Sequence, residues 1–105
     1  MQSRHEDLQT LVQQIVDLVH PLRVVLFGSA VRGDAGADSD LDVLVVMPEG
    51  THRWHTMQLL YANIRGVDAS FDTIVATPST LEKHKDNVGL IYRAILREGR
   101  TLYAA

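Results

Sequence analysis

The chain has 105 residues, of which 46% are hydrophobic and 22% charged, a composition that predicts one globular domain over residues 1–105. It contains no cysteine, which excludes disulfides, zinc–thiolate sites and thiol nucleophiles. The net charge is −3, no apolar run approaches the roughly 20 residues of a membrane helix, and the polar N-terminus is unlike a secretory signal, so we expect a cytoplasmic protein that binds neither membranes nor nucleic acid directly.

Hydrophobic periodicity divides the first half of the chain into a helix and two strands. Apolar residues at three- and four-residue spacing from Leu8 to Val19 predict an amphipathic helix, which Pro21 should end. Two short apolar runs, one ending at Gly28 and one following Asp42, predict buried strands, and the second run is continuous enough to be central. In order, we predict a helix over 4–20, a strand over 23–27, a loop over 29–40, a strand over 41–47 and a turn over 48–50.

The second half of the chain alternates in the same way. Thr51 is placed to cap a helix that carries Trp54, Met57 and Tyr61 on one face. Ser79 and Glu82 form a capping-box pattern that should start a short helix. In order, we predict a helix over about 52–65, a strand over 69–76, a short helix from 79, a helix over 87–98 and an edge strand over 101–103. The whole pattern predicts a mixed α/β (α+β) fold in which helices flank a small mixed sheet of about four strands.

A glycine–serine pair directly follows the first predicted strand. Gly28 permits a tight turn and close backbone approach, and a helical turn starting at Ser29 would direct free N–H groups at an anion such as phosphate. Arg32 could pair with a phosphate oxygen. Taken alone, the pair is more typical of an ordinary turn.

Two aspartates lie at a spacing of two where the second strand begins. Residues i and i+2 of a strand point to the same face, so Asp40 and Asp42 would present their carboxylates side by side. Like charges this close are costly unless a hard cation lies between them, and Mg²⁺ and Mn²⁺ both accept oxygen ligands. The spacing also fits a solvated acidic loop. The apolar run after Asp42 favours the metal site, because it anchors the pair on a rigid element.

A third aspartate lies inside the third predicted strand. Aspartate is disfavoured there, and Asp72 indicates either an edge strand with one wet face or a functional carboxylate. If this strand pairs beside the second, Asp72 completes a three-carboxylate cluster with Asp40 and Asp42 that would hold two divalent cations. Asp68 lies nearby, but it follows Gly66 in a turn pattern, so Asp72 is the better candidate.

Together these motifs resemble the signature of the polymerase-β-like nucleotidyltransferase superfamily. The residues that carry the resemblance are GSAVRGD at 28–34 and DSDLDVLV at 38–45, and the core match covers 23–47. A looser likeness extends over Asp72 and the tail REGRTLY at 97–103. More narrowly, the chain is similar to the minimal nucleotidyltransferase (MNT) family, the antitoxin component of HEPN/MNT toxin–antitoxin pairs.

The resemblance implies a role for each motif residue. Gly28 and Ser29 would hold the triphosphate of ATP, with Arg32 supporting the phosphates or ordering the loop. Asp40, Asp42 and Asp72 would bind Mg²⁺. Asp72 would also be the base for the attacking hydroxyl.

The resemblance implies an Mg²⁺-dependent enzyme that transfers AMP from ATP to a hydroxyl. The acceptor would be a tyrosine of a helical HEPN ribonuclease toxin, so that the chain acts as an antitoxin. A second hypothesis, suggested by the small size, is a binding module that neutralises its partner by stoichiometric contact. A third is a small-molecule transferase, although relatives of that kind carry an additional substrate-binding domain.

Overall fold

The computed structural model describes residues 3–32, 40–87 and 91–105. The elements within these ranges are, in chain order, α1 (Arg4–Val19), β1 (Arg23–Phe27), α2 (Ser29–Arg32), β2 (Leu41–Val46), α3 (Arg53–Asn63), β3 (Phe71–Ala76), α4 (Pro78–His84), α5 (Ile91–Glu98) and β4 (Arg100–Ala104). The predicted succession of helices and strands is confirmed except that the short helix α2 lies at the start of the segment predicted as a loop, and the bounds of α1, β1 and β2 agree to within one residue. None of the helices in the described ranges has the length and hydrophobicity that crossing a membrane requires.

The strands form one mixed sheet in the order β3-β2-β1-β4. β1 runs antiparallel to both of its neighbours, whereas β2 and β3 are parallel and joined by a crossover through α3. β2 is therefore central, as its continuous apolar run predicts. Because of these directions, the first residues of β2 and β3 meet the last residues of β1 at one end of the sheet.

Helices cover both faces of the sheet. On one face, Leu11 and Ile15 of α1 and Leu60 of α3 pack on the odd-numbered residues of β2. On the other, Leu81 of α4 and Ile95 of α5 pack on its even-numbered residues. Each side chain of this size contributes about 1.5–3 kcal/mol when it is fully buried. This alternation assigns the even positions of β2 to the face under α4 and α5.

Two predicted helix caps are wrong, and the α4 case shows why. Helix α4 begins at Pro78, one residue before the predicted start, because the ring of proline at the first helical position fixes a helical φ. Ser79 and Glu82 form no capping box. Instead the backbone N–H and the hydroxyl of Ser79 donate to the carboxylate of Glu49 at 2.7 and 2.8 Å. These bonds lower the pKa of Glu49, which comes from the turn after β2.

The cap of α3 differs from prediction in the same way. Its N-cap residue is His52, whose Nδ1 accepts the backbone N–H of His55 at 3.2 Å. The hydroxyl of Thr51 donates instead to the carbonyl of Pro48 at 2.7 Å, inside the preceding turn. Trp54 and Tyr61 do share a helix face, but that face is exposed.

Candidate active site

The parallel register sets Asp42 of β2 directly beside Asp72 of β3. Each is the second residue of its strand, and the alternation of side chains puts both on the face under α4 and α5. Asp40 lies two residues before Asp42, immediately before β2. Asp40 and Asp72 are exposed, and Asp42 is half-buried. The three predicted carboxylates thus lie at the same end of the sheet, whereas Asp68 lies in the segment before β3.

The carboxylates repel one another. Partial burial raises the pKa of Asp42 above its usual value, and the negative charges of Asp72 and Asp40 raise it further. Among the described residues, no three His, Asp or Glu side chains close around a common point as a finished metal site. The strands set the spacing of the carboxylates, and their oxygen atoms are the donor type that Mg²⁺ and Mn²⁺ prefer. A divalent cation therefore fits the donor set and would relieve the repulsion.

Gly28 ends β1 and lies against the carboxylate of Asp42. Its φ of +81° is in the left-handed region, and a Cβ atom there would come within 2.6 Å of Oδ2 of Asp42. Only glycine allows both this turn and this approach. Helix α2 begins at the next residue, and the N–H of Val31 donates to the carbonyl of Gly28 at 3.1 Å. The side chains of Ser29 and Arg32, predicted to contact phosphates, lie outside the described part of the chain, as do residues 33–39.

A cleft of about 310 Å³ opens between the Gly28 turn and α5. Asp42 and Glu98 line it with carboxylates, and Ile91 and Ala94 supply apolar surface. A larger cleft of about 660 Å³ runs between α1 and β4, but none of the predicted site residues lines it. Of the predicted site residues in the described ranges, Gly28 and Asp42 line the smaller cleft, whereas Asp40 and Asp72 lie outside its lining.

Tyr61 belongs to the site and was not predicted to. Its hydroxyl donates to Oδ1 of Asp72 at 3.3 Å and accepts the backbone N–H of Thr73 at 2.9 Å. The sequence pattern places Tyr61 only on a helix face with Trp54. No local signal relates it to Asp72, because the contact depends on α3 lying along the edge of β3.

Asp7 is a second contributor that sequence reasoning missed. Its side chain is 2% exposed, and its two carboxylate oxygens accept the backbone N–H groups of Asp68 and Ala69, each at 3.0 Å. The carbonyl of Ser70 then accepts the N–H of Leu41 at 2.9 Å, where β2 and β3 begin. A buried carboxylate of α1 thus holds the segment that leads to Asp72.

Comparison with known families and structures identifies the family and the fold of the chain. The sequence matches the family profile described as "Nucleotidyltransferase domain" over residues 8–102. No relative is found among curated protein sequences.

Three solved structures share the fold. A protein from Sulfolobus solfataricus classed as a nucleotidyltransferase is 24% identical, with a TM-score of 0.64 over 94% of this chain and 78% of its own. A chain of a toxin–antitoxin structure with AMP-PNP is 18% identical, with a TM-score of 0.59 over 97% of this chain and 74% of its own. A chain of the toxin–antitoxin MntA-HpeT is 16% identical, with a TM-score of 0.55 over 95% of this chain and 72% of its own. That structure is a mutant with two aspartates, two positions apart, changed to glutamate. At these identities the likeness establishes the fold.

Proposed function

The chain belongs to the nucleotidyltransferase domain family, and from that premise we propose that it transfers AMP from ATP to a hydroxyl of a protein partner. The observation that carries the proposal is the register of Asp42 beside Asp72, next to the turn at Gly28. Two carboxylates on adjacent strands, with a third two residues away, form an arrangement suited to divalent cations, which would in turn attract the negatively charged phosphates.

Each site residue then has a chemical task. Asp40, Asp42 and Asp72 hold divalent cations, Mg²⁺ or Mn²⁺, which supply neutralisation of the phosphate charge when bound. Gly28 contacts the triphosphate through its backbone, with help from Ser29 and Arg32.

Asp72 accepts the proton of the acceptor hydroxyl. The hydroxyl oxygen forms a bond to the α-phosphorus, the bond from that phosphorus to the bridging oxygen of the β-phosphate breaks, and pyrophosphate leaves. Asp72 is suited to this task because it is exposed, so an incoming hydroxyl can reach it.

The structural neighbours support the choice of nucleotide and partner. AMP-PNP, an ATP analogue, accompanies one toxin–antitoxin neighbour, and the paired substitution in the MntA-HpeT mutant has the spacing of Asp40 and Asp42. We therefore propose that the acceptor is a tyrosine of a helical HEPN ribonuclease toxin and that the modification inactivates it. In this proposal the chain is the antitoxin.

One observation favours a second function, neutralisation by stoichiometric binding. One face of α3 exposes two large aromatic side chains, with Trp54 61% and Tyr61 43% exposed. Trp and Tyr are enriched among residues that dominate interface energetics. A binding module would use such a face without needing the carboxylates.

The proposal is tested with ATP labelled on the α-phosphate. The chain, Mg²⁺ and the protein encoded by the neighbouring gene are incubated together, and we expect label on a tyrosine of the partner. Asp42→Asn and Asp72→Asn should lower the rate by about 10²–10⁴-fold. Asp17→Asn, an exposed aspartate of α1, is the matched control and should leave the rate unchanged.

Two outcomes would redirect the conclusion. In a parallel reaction with ATP labelled on the γ-phosphate, label on the partner from this ATP and none from the α-labelled ATP would identify phosphoryl transfer and overturn nucleotidyl transfer. Neutralisation of the partner by Asp42→Asn and Asp72→Asn, with no label from the wild-type chain, would establish the binding module instead.

A further inference from the structure

Tyr61 joins α3 to the carboxylate of Asp72, and the proposed chemistry gives it no task. A neutral phenol has one proton to donate, and its oxygen also accepts. Here the oxygen accepts the N–H of Thr73 at 2.9 Å, and the proton is directed at Oδ1 of Asp72 at 3.3 Å. The hydroxyl thus bridges the backbone of β3 and the side chain of the residue before Thr73.

The bridge lies on the free edge of the sheet. β3 is the outermost strand in the order β3-β2-β1-β4, and an edge strand presents N–H groups that no neighbouring strand accepts. The N–H of Thr73 is one of these, because it donates to a side chain. Tyr61 is therefore anchored to backbone that does not move when the side chain of Asp72 rotates.

The ring of Tyr61 is also held in place. It stacks on Phe71 with ring centroids 5.7 Å apart and planes inclined by 9°. The preceding residue, Leu60, is fully buried and keeps α3 against the sheet. Tyr61 itself is 43% exposed, so its hydroxyl contributes little to the core.

We propose that Tyr61 is a positioning residue that holds Asp72 by Oδ1 and leaves Oδ2 for the metal ion and the acceptor hydroxyl. The inference rests on the proposed function, in which Asp72 is both metal ligand and base. The separation of 3.3 Å exceeds that of an ordinary O–H···O bond, so this contact adds little to the stability of the fold. Removing the hydroxyl should change the site and lower the stability only by the loss of the bond from the N–H of Thr73.

Tyr61→Phe tests this directly, because it keeps the ring and its stacking on Phe71. We expect the affinity of the nucleotide-free chain for Mn²⁺, titrated by electron paramagnetic resonance, to fall about tenfold, as happens when an outer-shell partner of a metal ligand is removed. The kcat for nucleotidyl transfer should fall by a similar factor with the KM for ATP unchanged, and the Tm should fall only slightly, because the N–H of Thr73 loses its acceptor. Tyr103→Phe, on β4 at the opposite edge of the sheet, is the matched control and should alter none of these.

A double-mutant cycle separates a role through Asp72 from a general structural role. In the Asp72→Asn background, Tyr61→Phe should have no further effect on Mn²⁺ affinity or transfer. A further loss in that background, or wild-type Mn²⁺ affinity and kcat in Tyr61→Phe alone, would overturn the positioning role while the proposed function stands.

Two other outcomes are equally informative. If Asp72→Asn itself leaves Mn²⁺ binding and transfer intact, Asp72 is neither the metal ligand nor the base, and the role of Tyr61 fails while nucleotidyl transfer stands. If mass spectrometry finds a nucleotide attached to Tyr61 after incubation with ATP, and Tyr61→Phe modifies the partner at the wild-type rate, Tyr61 is an acceptor and not a positioning residue.

Discussion

At the scale of single residues, the contact between Gly28 and Asp42 links the end of β1 to the site. The glycine is needed twice, once for its φ of +81° and once because Oδ2 of Asp42 occupies the position that a Cβ would crowd. Gly50 has a similar φ of +87° but has nothing within 4 Å of the same position. Substitutions at the two glycines therefore share the cost of backbone strain, and only a substitution at Gly28 also crowds the carboxylate of Asp42.

Gly28→Ala and Gly50→Ala should cost similar stability and differ in activity. An alanine in the left-handed region costs about 1–2 kcal/mol at either position. At Gly28 the new methyl group must also displace the end of the Asp42 side chain, so nucleotidyl transfer and Mn²⁺ affinity should fall only in that variant. Chemical denaturation measures the first effect and the labelled-ATP assay the second. Equal activity of the two variants would contradict the importance of this contact.

At the scale of elements, the position of β3 depends on α1. Asp7 receives two backbone N–H groups from the segment before β3, and this segment in turn pairs with the start of β2. Hydrogen bonds to a charged group are stronger than bonds between neutral groups. The carboxylate thus helps to keep Asp72 in register with Asp42 from the opposite face of the sheet.

Asp7→Asn should destabilise the chain by about 1–3 kcal/mol. An amide has one acceptor oxygen, so one of the two N–H groups would face an NH₂ group and lose its partner. We expect faster amide hydrogen exchange at Asp68 and Ala69, together with a lower midpoint of denaturation. Asp17→Asn, on the exposed face of the same helix, should change neither. Unchanged exchange at Asp68 and Ala69 would show that Asp7 does not hold this segment.

At the scale of the whole molecule, the ionised carboxylates at one end of the sheet lower the free energy of unfolding. The pKa of Asp42 is raised by burial and by its two acidic neighbours, which means that the ionised form is less favourable in the folded chain than in the unfolded chain. The penalty is complete above the folded pKa, fades as the pH falls toward the ordinary value of 3.8, and is absent below it. A bound cation would offset the same penalty at neutral pH.

Asp42→Asn should therefore be more stable than the wild type at neutral pH in the presence of a chelator. The gain should stay below about 1 kcal/mol, because the site is partly exposed and screened, and it should vanish below pH 3.8. Mg²⁺ should raise the Tm of the wild type more than that of the variant, since a ligand that binds only the folded state stabilises it. Thermal unfolding across pH, with and without Mg²⁺, measures all three effects. A wild type that is the more stable protein in chelator at neutral pH would contradict this account.

Sequence reasoning succeeded where neighbouring residues carry the signal. The apolar runs around Val25 and Leu44 predict β1 and β2 almost to the residue, because burial on both faces leaves a continuous hydrophobic pattern. The caps of α3 and α4 were less predictable. Glu49 lies 30 residues before Ser79 and is brought to α4 by the fold, so no local sequence pattern predicts the contact between them.

By itself, the sequence determined the order of helices and strands, the glycine turn and the spacing of Asp40 and Asp42, all of which depend on residues close together in the chain. Only the tertiary structure decided that β3 lies parallel to β2, so that Asp72 is beside Asp42. It also decided that Tyr61 forms hydrogen bonds with β3 and that Asp7 accepts hydrogen bonds from the segment before it. The physical reason is that periodicity records which side of an element is buried, whereas the partner across the interface is chosen by packing and hydrogen bonding between segments far apart in the chain.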